Sequence, residues 1–330
     1  MRAIWYERCG SPHEVLRLGD LPMPAARPGE VLVEMHCSGV NPHDVKKRAG
    51  WLNRALPAIR TIPHSDGAGI IKAVGPGVAD SRIGERVWIF HANEAQPGAG
   101  AAADYVTVSS QHACRLPDHV SFDVGACLGV PFMTAHDAML RDGPVTGQTV
   151  LVQGGAGAVA AYAIQLARWN GARVIATVSS DAKATHARAL GADEIINYRQ
   201  EDVVARVGHL TDGLGVDRII EVDFGANLAV DHAVIKPNGV IAAYSSTRER
   251  EPTLPYYAFA MKGVTLHFVQ GMLLRHARAM PGIRDVTVLL EHNLLQHPIA
   301  RTFAFDQTAD AHAALESAEH TGKILVRNRT

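Results

Sequence analysis

Cysteine is scarce in these 330 residues: Cys9, Cys37, Cys114 and Cys127 are scattered, with no C-x-x-C spacing. That argues against a disulfide scaffold and offers no zinc-ribbon pattern, so a reduced, cytoplasmic protein is the expectation. Neither sign of charge is in excess, with 32 Lys plus Arg against 33 Asp plus Glu and a formal charge of −1. Without a basic tract or an acidic tail, the composition gives no support to nucleic acid or a membrane surface as a partner. No run approaches the roughly 18 uninterrupted apolar residues of a membrane span. The N-terminus, Met1-Arg-Ala-Ile-Trp-Tyr-Glu-Arg8, lacks the apolar core of a signal peptide and reads as a strand.

Hydrophobic residues make up 47% and charged residues 20% of the chain, as in soluble globular proteins, and the length suffices for two cores. Up to Phe122 the pattern is β-rich: runs such as 2–7, 30–37, 69–74, 86–90 and 105–108 are separated by Gly, Pro and Asp turns. Beyond Phe122, strand-like runs (150–153, 173–177, 194–197, 218–221, 239–243) alternate with helical ones (159–169, 181–190). Strand, helix, strand at this spacing implies right-handed crossovers and a parallel sheet covered on both faces. Residues 264–269 read as a last edge strand, 286–292 and 309–318 as helices, and 323–327 as a closing strand.

The run Val150-Leu-Val-Gln-Gly-Gly-Ala-Gly-Ala-Val-Ala160 carries the most information. A β-branched strand enters a turn of small residues and an alanine-rich helix leaves it. Gly154, Gly157 and Ala160 fit G-x-x-G-x-x-[G/A], a turn that brings backbone N–H groups and a helix N-terminus up to a pyrophosphate. Ala158, where a further glycine is common, puts a methyl beside the phosphates, which is tolerable if its φ is negative.

Several further motifs lie in order on both sides of this turn. They are Ser38-Gly-Val-Asn-Pro-His-Asp44, Ile62-Pro-His-Ser-Asp-Gly-Ala-Gly69, Gly84-Glu-Arg-Val87, Gly129-Val-Pro-Phe-Met-Thr-Ala135, Leu190-Gly-Ala-Asp193, Ile196-Asn-Tyr-Arg199 and Thr321-Gly-Lys-Ile324. Together they resemble the medium-chain dehydrogenase/reductase superfamily, and within it the zinc-independent, zeta-crystallin-like quinone oxidoreductases. The resemblance implies an α/β fold. A GroES-like β-rich catalytic domain would span 1–125 and 270–330, and a Rossmann doubly wound parallel-sheet domain 126–269.

Where zinc alcohol dehydrogenases of that superfamily carry Cys, His and Cys, this chain has Asn41, Ser65 and Val130, none a normal zinc ligand. A metal-free reductase is therefore expected. At the end of the second strand of the nucleotide fold stands Val178 instead of the acid that accepts from NAD ribose, followed by Ser179 and Ser180. Lys183 and Tyr198 fall where NADPH-preferring relatives bind the 2′-phosphate, so NADPH is the expected cofactor; capping serines and a solvated lysine are the alternative. By the same resemblance Gly154, Ala156, Gly157, Ala158 and Val159 face the pyrophosphate. Thr134, Tyr244, Ser245, Phe268 and Val269 fall near the nicotinamide and its ribose.

For catalysis the resemblance points to Asn41, whose amide would donate to a quinone or enone oxygen, and the residues themselves add His43 as a proton donor. Lys46, Trp51 and His64 are candidate substrate contacts, and Arg48 or Arg54 would suit an anionic thioester. The reading is hydride transfer from NADPH to a quinone or α,β-unsaturated carbonyl. The alternatives are an enoyl-thioester reductase and a non-catalytic, crystallin-like or sensing NADPH-binding protein. A homodimer joined through residues 264–269 is expected, as in relatives that pair edge strands.

Overall fold

The structure is a computed structural model and describes residues 1–51, 60–93, 96–317 and 319–328. Along the chain run β1 (Arg2–Trp5), α1 (Pro12–Val15), β2 (Arg17–Asp20), β3 (Glu30–Val40), α2 (Pro42–Arg48), β4 (Asp66–Val74), β5 (Arg86–Ile89), β6 (Tyr105–Ser109), β7 (Ala113–Arg115) and α3 (Phe122–Leu140). There follow β8 (Thr149–Val152), α4 (Ala158–Trp169), β9 (Arg173–Val178), α5 (Asp181–Ala189), β10 (Glu194–Asn197), α6 (Val203–Leu210), β11 (Val216–Glu221), α7 (Phe224–Val234), β12 (Ile235–Ala243), α8 (Tyr256–Lys262) and β13 (Thr265–Phe268). The chain closes with α9 (His276–Glu291), β14 (Ile299–Ala304), α10 (Thr308–Glu316) and β15 (Lys323–Arg327). It divides into two compact units, Met1–Val130 with Ile283–Thr330, and Pro131–Gly282.

The first unit is built on a seven-stranded sheet of order β14-β15-β3-β4-β5-β7, with β6 also paired to β3. All its pairs are antiparallel except β14 with β15. Val31, Val33, Met35, Ile71, Val87, Ile89 and Val106 fill one core, and Ile4, Tyr6, Val40, Val45, Ile324 and Val326 another. Register places the functional residues. Pairing of Ile324 with Val40 and of Gly39 with Asp66 brings the starts of β15 and β4 to the end of β3, where Asn41 leads into α2. The sequence shows a turn before Pro42; the structure makes it a helix start. Proline, with no N–H to satisfy, takes the first helical position, and Asp44 accepts from the Asn41 N–H at 2.8 Å.

The second unit is a six-stranded parallel sheet of order β10-β9-β8-β11-β12-β13. Its strands read as unbroken apolar runs because both faces are covered: Val150, Leu151 and Val152 are all fully buried. Strand order reverses between β8 and β11, and the glycine turn follows β8, so the turn stands at the switch point where doubly wound folds bind ligands. The α/β architecture expected from the sequence is thus present in both parts. The helix expected over 286–292 is longer: α9 begins at His276, runs through Pro281 and ends at Glu291.

Candidate active site

In the second unit the turn has a firm backbone reason for its glycines. Gly154 has φ +68°, in the left-handed region that favours glycine, and its N–H donates to Thr177 Oγ1 at 3.1 Å. Gly157 is different. Its φ of −76° suits any residue, and an added Cβ would meet only the Gly154 carbonyl oxygen, at 3.5 Å. Nothing among the described residues demands a glycine at 157, and the space a side chain would fill stays open beside the turn. Ala158 opens α4 and is not among the described residues with positive φ, and Ala160 packs fully buried beneath it. The twelve-residue α4 has no side-chain cap and no acid in its first turn, which leaves the N–H groups of Ala158, Val159 and Ala160 for a ligand.

The other cofactor candidates stand at the carboxyl ends of the same strands. Ser179, Ser180 and Lys183 follow β9, Tyr198 follows β10, Tyr244 and Ser245 follow β12, and Phe268 and Val269 end β13. Ser180 caps α5, its Oγ accepting from the Lys183 N–H at 3.4 Å. Val178 is buried, and Tyr198 is half exposed. Arg248, which the sequence reading passed over, is paired with Asp223 at 2.6 Å and lies within electrostatic reach of Tyr198. Thr134 is buried, and Gly271 beyond β13 packs so closely that a Cβ there would lie 2.1 Å from its hydroxyl oxygen. Phe268 is exposed, and Val269 is fully buried with its N–H bonded to Ala243. An apolar strand end, a lysine and an unfilled helix start fit an anionic dinucleotide with a 2′-phosphate.

In the first unit Asn41 and Val130 join a buried charge cluster. The Lys323 ammonium, almost fully buried, donates to Asn41 Oδ1 at 2.5 Å and to Asp66 Oδ2 at 3.4 Å. The Asn41 amide donates to Asp66 Oδ1 at 2.5 Å and lies 3.5 Å from the Gly39 carbonyl. The Val130 N–H donates to Asp66 Oδ2 at 2.9 Å. Burial pushes the Asp66 carboxyl up against the downward pull of Lys323. Both polar ends of Asn41 are therefore spent inside the chain, and its amide does not stand ready for a substrate oxygen. Among the described residues no group of three or more His, Cys, Asp or Glu is placed to hold a metal.

His43, on α2, is held through one nitrogen. Nε2 lies 2.7 Å from Ser65 Oγ, 3.1 Å from Asp44 Oδ1 and 3.4 Å from Asn93 Nδ2. Nδ1 has no partner among the described residues, and the side chain is 21% exposed. Burial would raise the Asp44 carboxyl, but His43 overrides it and holds it well below the usual range. An ionised Asp44 keeps the proton on Nε2 and leaves Nδ1 as the atom able to exchange one.

Three other expectations need correction. His64 is fully buried, with Nδ1 2.9 Å from Ser38 Oγ and Nε2 3.1 Å from His312 Nε2, so it faces no substrate. Arg48 is buried, its guanidinium bonded to the Gly10 carbonyl and to Glu316, so it cannot sit at a pocket mouth; Arg54 lies outside the described residues. Lys46 and Trp51 engage each other, the ammonium 4.5 Å from the ring centroid, which leaves Trp51 half-buried beneath a cation. Asp44, Asp66, Lys323 and His312 were missed as partners. Asp66 and Lys323 lay inside motifs already recognised, but their meeting across the chain has no local signature.

Comparison with known proteins agrees with this geometry. The family model of the alcohol dehydrogenase GroES-like domain matches residues 27–118, and that of the zinc-binding dehydrogenases matches residues 158–285. Quinone oxidoreductase of Homo sapiens is 31% identical over 248 residues, covering 74% of this chain and 73% of its own. That of Lama guanicoe is 32% identical over 334 residues, covering 99% and 97%. Among solved structures, an NAD-dependent alcohol dehydrogenase superposes with a TM-score of 0.89 at 28% identity, covering 99% of both chains. A mycobacterial protein complexed with NADPH superposes at 0.88 and 27% identity, covering 99% of this chain and 100% of its own.

The His64–His312 pair makes a pH prediction. Burial lowers the His64 imidazole to about 4 and His312 well below its usual value, so both are neutral in the folded chain. Unfolding releases them to titrate at about 6.5. Stability from the neutral pair is full above about pH 6.5 and is lost as pH falls towards 4, with up to about 1.4 kcal/mol per pH unit for each imidazole. Chemical denaturation of His312→Gln across that window is expected to show a shallower acid slope than the parent. An unchanged slope contradicts the assignment.

Proposed function

The chain belongs to the quinone oxidoreductases of the medium-chain dehydrogenase/reductase superfamily, and from that premise we propose that it is an NADPH-dependent, zinc-independent reductase of quinones or α,β-unsaturated carbonyls. The observation that carries the cofactor choice is the buried Val178, with Ser179, Ser180, Lys183 and Tyr198 gathered where an acid would repel a 2′-phosphate. NADPH, when bound, supplies a hydride. The free N–H groups of Ala158, Val159 and Ala160 take its pyrophosphate, and Gly157 leaves room for it. Lys183 and Tyr198, with Arg248 beside Tyr198, answer the extra phosphate charge.

On the acceptor side, His43 delivers a proton from Nδ1 while Asp44 and Ser65 hold the ring. Asn41 acts by clasping Lys323 to Asp66, and this neutralised ion pair fixes the start of α2, on which His43 lies. Asn41, Ser65 and Val130 give zinc no normal ligand set, which supports the metal-free reading. The four cysteines, all free, suit the cytoplasm.

NADPH oxidation with 1,4-benzoquinone, a 2-alkenal and an acyl-CoA enone ranks the acceptors, and the quinone is expected to turn over. NADPH is expected to have a KM at least about tenfold below NADH, with Lys183→Ala removing most of that difference and leaving NADH unchanged. His43→Asn is expected to lower kcat about a hundredfold with the 2-alkenal. No turnover with any of the three acceptors overturns the reading.

We further propose a homodimer through β13. Its place at the end of the sheet order leaves one edge unpaired among the described residues, and Phe268 there is 71% exposed. Light scattering is expected to give the mass of two chains; the mass of one contradicts it.

A further inference from the structure

We propose that Glu221 and Asp231 share one proton at working pH, and that this protonated pair positions the dinucleotide turn through Gln153 and Thr177. Glu221 ends β11 and Asp231 lies on α7; both are fully buried. Their carboxyl groups face one another within hydrogen-bond reach, and Glu221 Oε2 and Asp231 Oδ2 have no other partner. Two ionised carboxylates would leave those oxygens opposed and desolvated, which a buried site does not tolerate. One proton between them removes the repulsion and satisfies both. Among the described residues no cation bonds either group.

The remaining oxygens are occupied. Glu221 Oε1 accepts from the Asp223 N–H and from Asn227 Nδ2 at 2.9 Å. Asp231 Oδ1 accepts from Gln153 Nε2 at 3.2 Å. From there a chain of donors, all pointing towards Asp231, leads back to the turn. Thr177 Oγ1 donates to Gln153 Oε1 at 2.9 Å, and the Gly154 N–H donates to Thr177 Oγ1 at 3.1 Å. That last bond holds the residue whose φ of +68° starts the turn. Donors aligned in one direction strengthen one another, so the charge state at Asp231 is felt at Gly154.

The ionisable groups facing the pair are Asp223 on the following loop, Tyr244 just after β12, and Arg248, whose guanidinium is bound to Asp223. Burial pushes both carboxyls up, Asp231 further because Glu221 opposes it. For acids raised by folding, the stabilised state is intact at low pH and is lost as pH rises through the raised value. Loss of the proton to solvent then puts a second negative charge beneath the turn.

The inference rests on the dinucleotide reading for its consequence and not for its proton, and the test separates the two. Infrared spectroscopy of the full chain without NADPH, at neutral pH, is expected to show a protonated-carboxyl band. The band should vanish in Asp231→Asn and in Glu221→Gln. Titrated with NADPH, the parent is expected to bind about tenfold more weakly for each pH unit above the band's disappearance. Asp231→Asn, which keeps the acceptor for Gln153 and a donor for Glu221, should bind as tightly as the parent at neutral pH with no such fall. Absence of the band, or the same alkaline fall in Asp231→Asn, overturns the proposal. A band present in a chain that binds no NADPH would sink the dinucleotide reading while leaving the shared proton in place.

Discussion

One buried ion pair fixes the geometry of the first unit. Lys323 and Asp66 lie on strands at either side of β3, and Asn41 bridges them at the point where β3 gives way to α2. Burying two charges costs more than their attraction returns unless every remaining polar atom is satisfied. Here the amide of Asn41 and the N–H of Val130 complete that set. Because Asn41 is clamped, Pro42 starts a helix at a fixed place, and Asp44 then reaches back to the Asn41 N–H while facing His43 and the His64 backbone. The position of His43 is thus a consequence of a charge pair two strands wide.

In the second unit, the reading of the turn as a dinucleotide site rests on its backbone. Its turn combines one left-handed glycine, one glycine with open space above it, and a helix start with no competing acid. Ala158 and Ala160, unusual in such a turn, cost little because one begins the helix with an ordinary φ and the other packs inward. At the end of β9 Val178 is buried, and the proposed preference for NADPH rests on that apolar strand end.

Much of this was legible in the sequence, and the failures have physical causes. The parallel sheet announced itself through the alternation of strand-like and helical runs, and the turn through its small residues. The switch point needed strand order, which sequence alone does not state. His64 was misjudged because a histidine in a functional motif looks the same whether it faces substrate or bonds to His312, which lies 248 residues away in the chain. Arg48 was offered for an anionic thioester; its partners, the Gly10 carbonyl and Glu316, are remote in sequence and draw it inside. Asn41 was singled out as a donor to the substrate oxygen, but the groups that spend its amide come from β4 and β15. In each case the residue was visible and its partner was not.

The central claim is that this chain reduces its acceptor with NADPH and with no metal, the buried Lys323–Asn41–Asp66 cluster standing where ligands would be. Metal content by mass spectrometry, measured on the same chelator-treated protein whose NADPH oxidation by 1,4-benzoquinone is followed, tests it most directly. The account predicts full turnover with only trace zinc before and after treatment. Stoichiometric zinc whose removal abolishes turnover would contradict it.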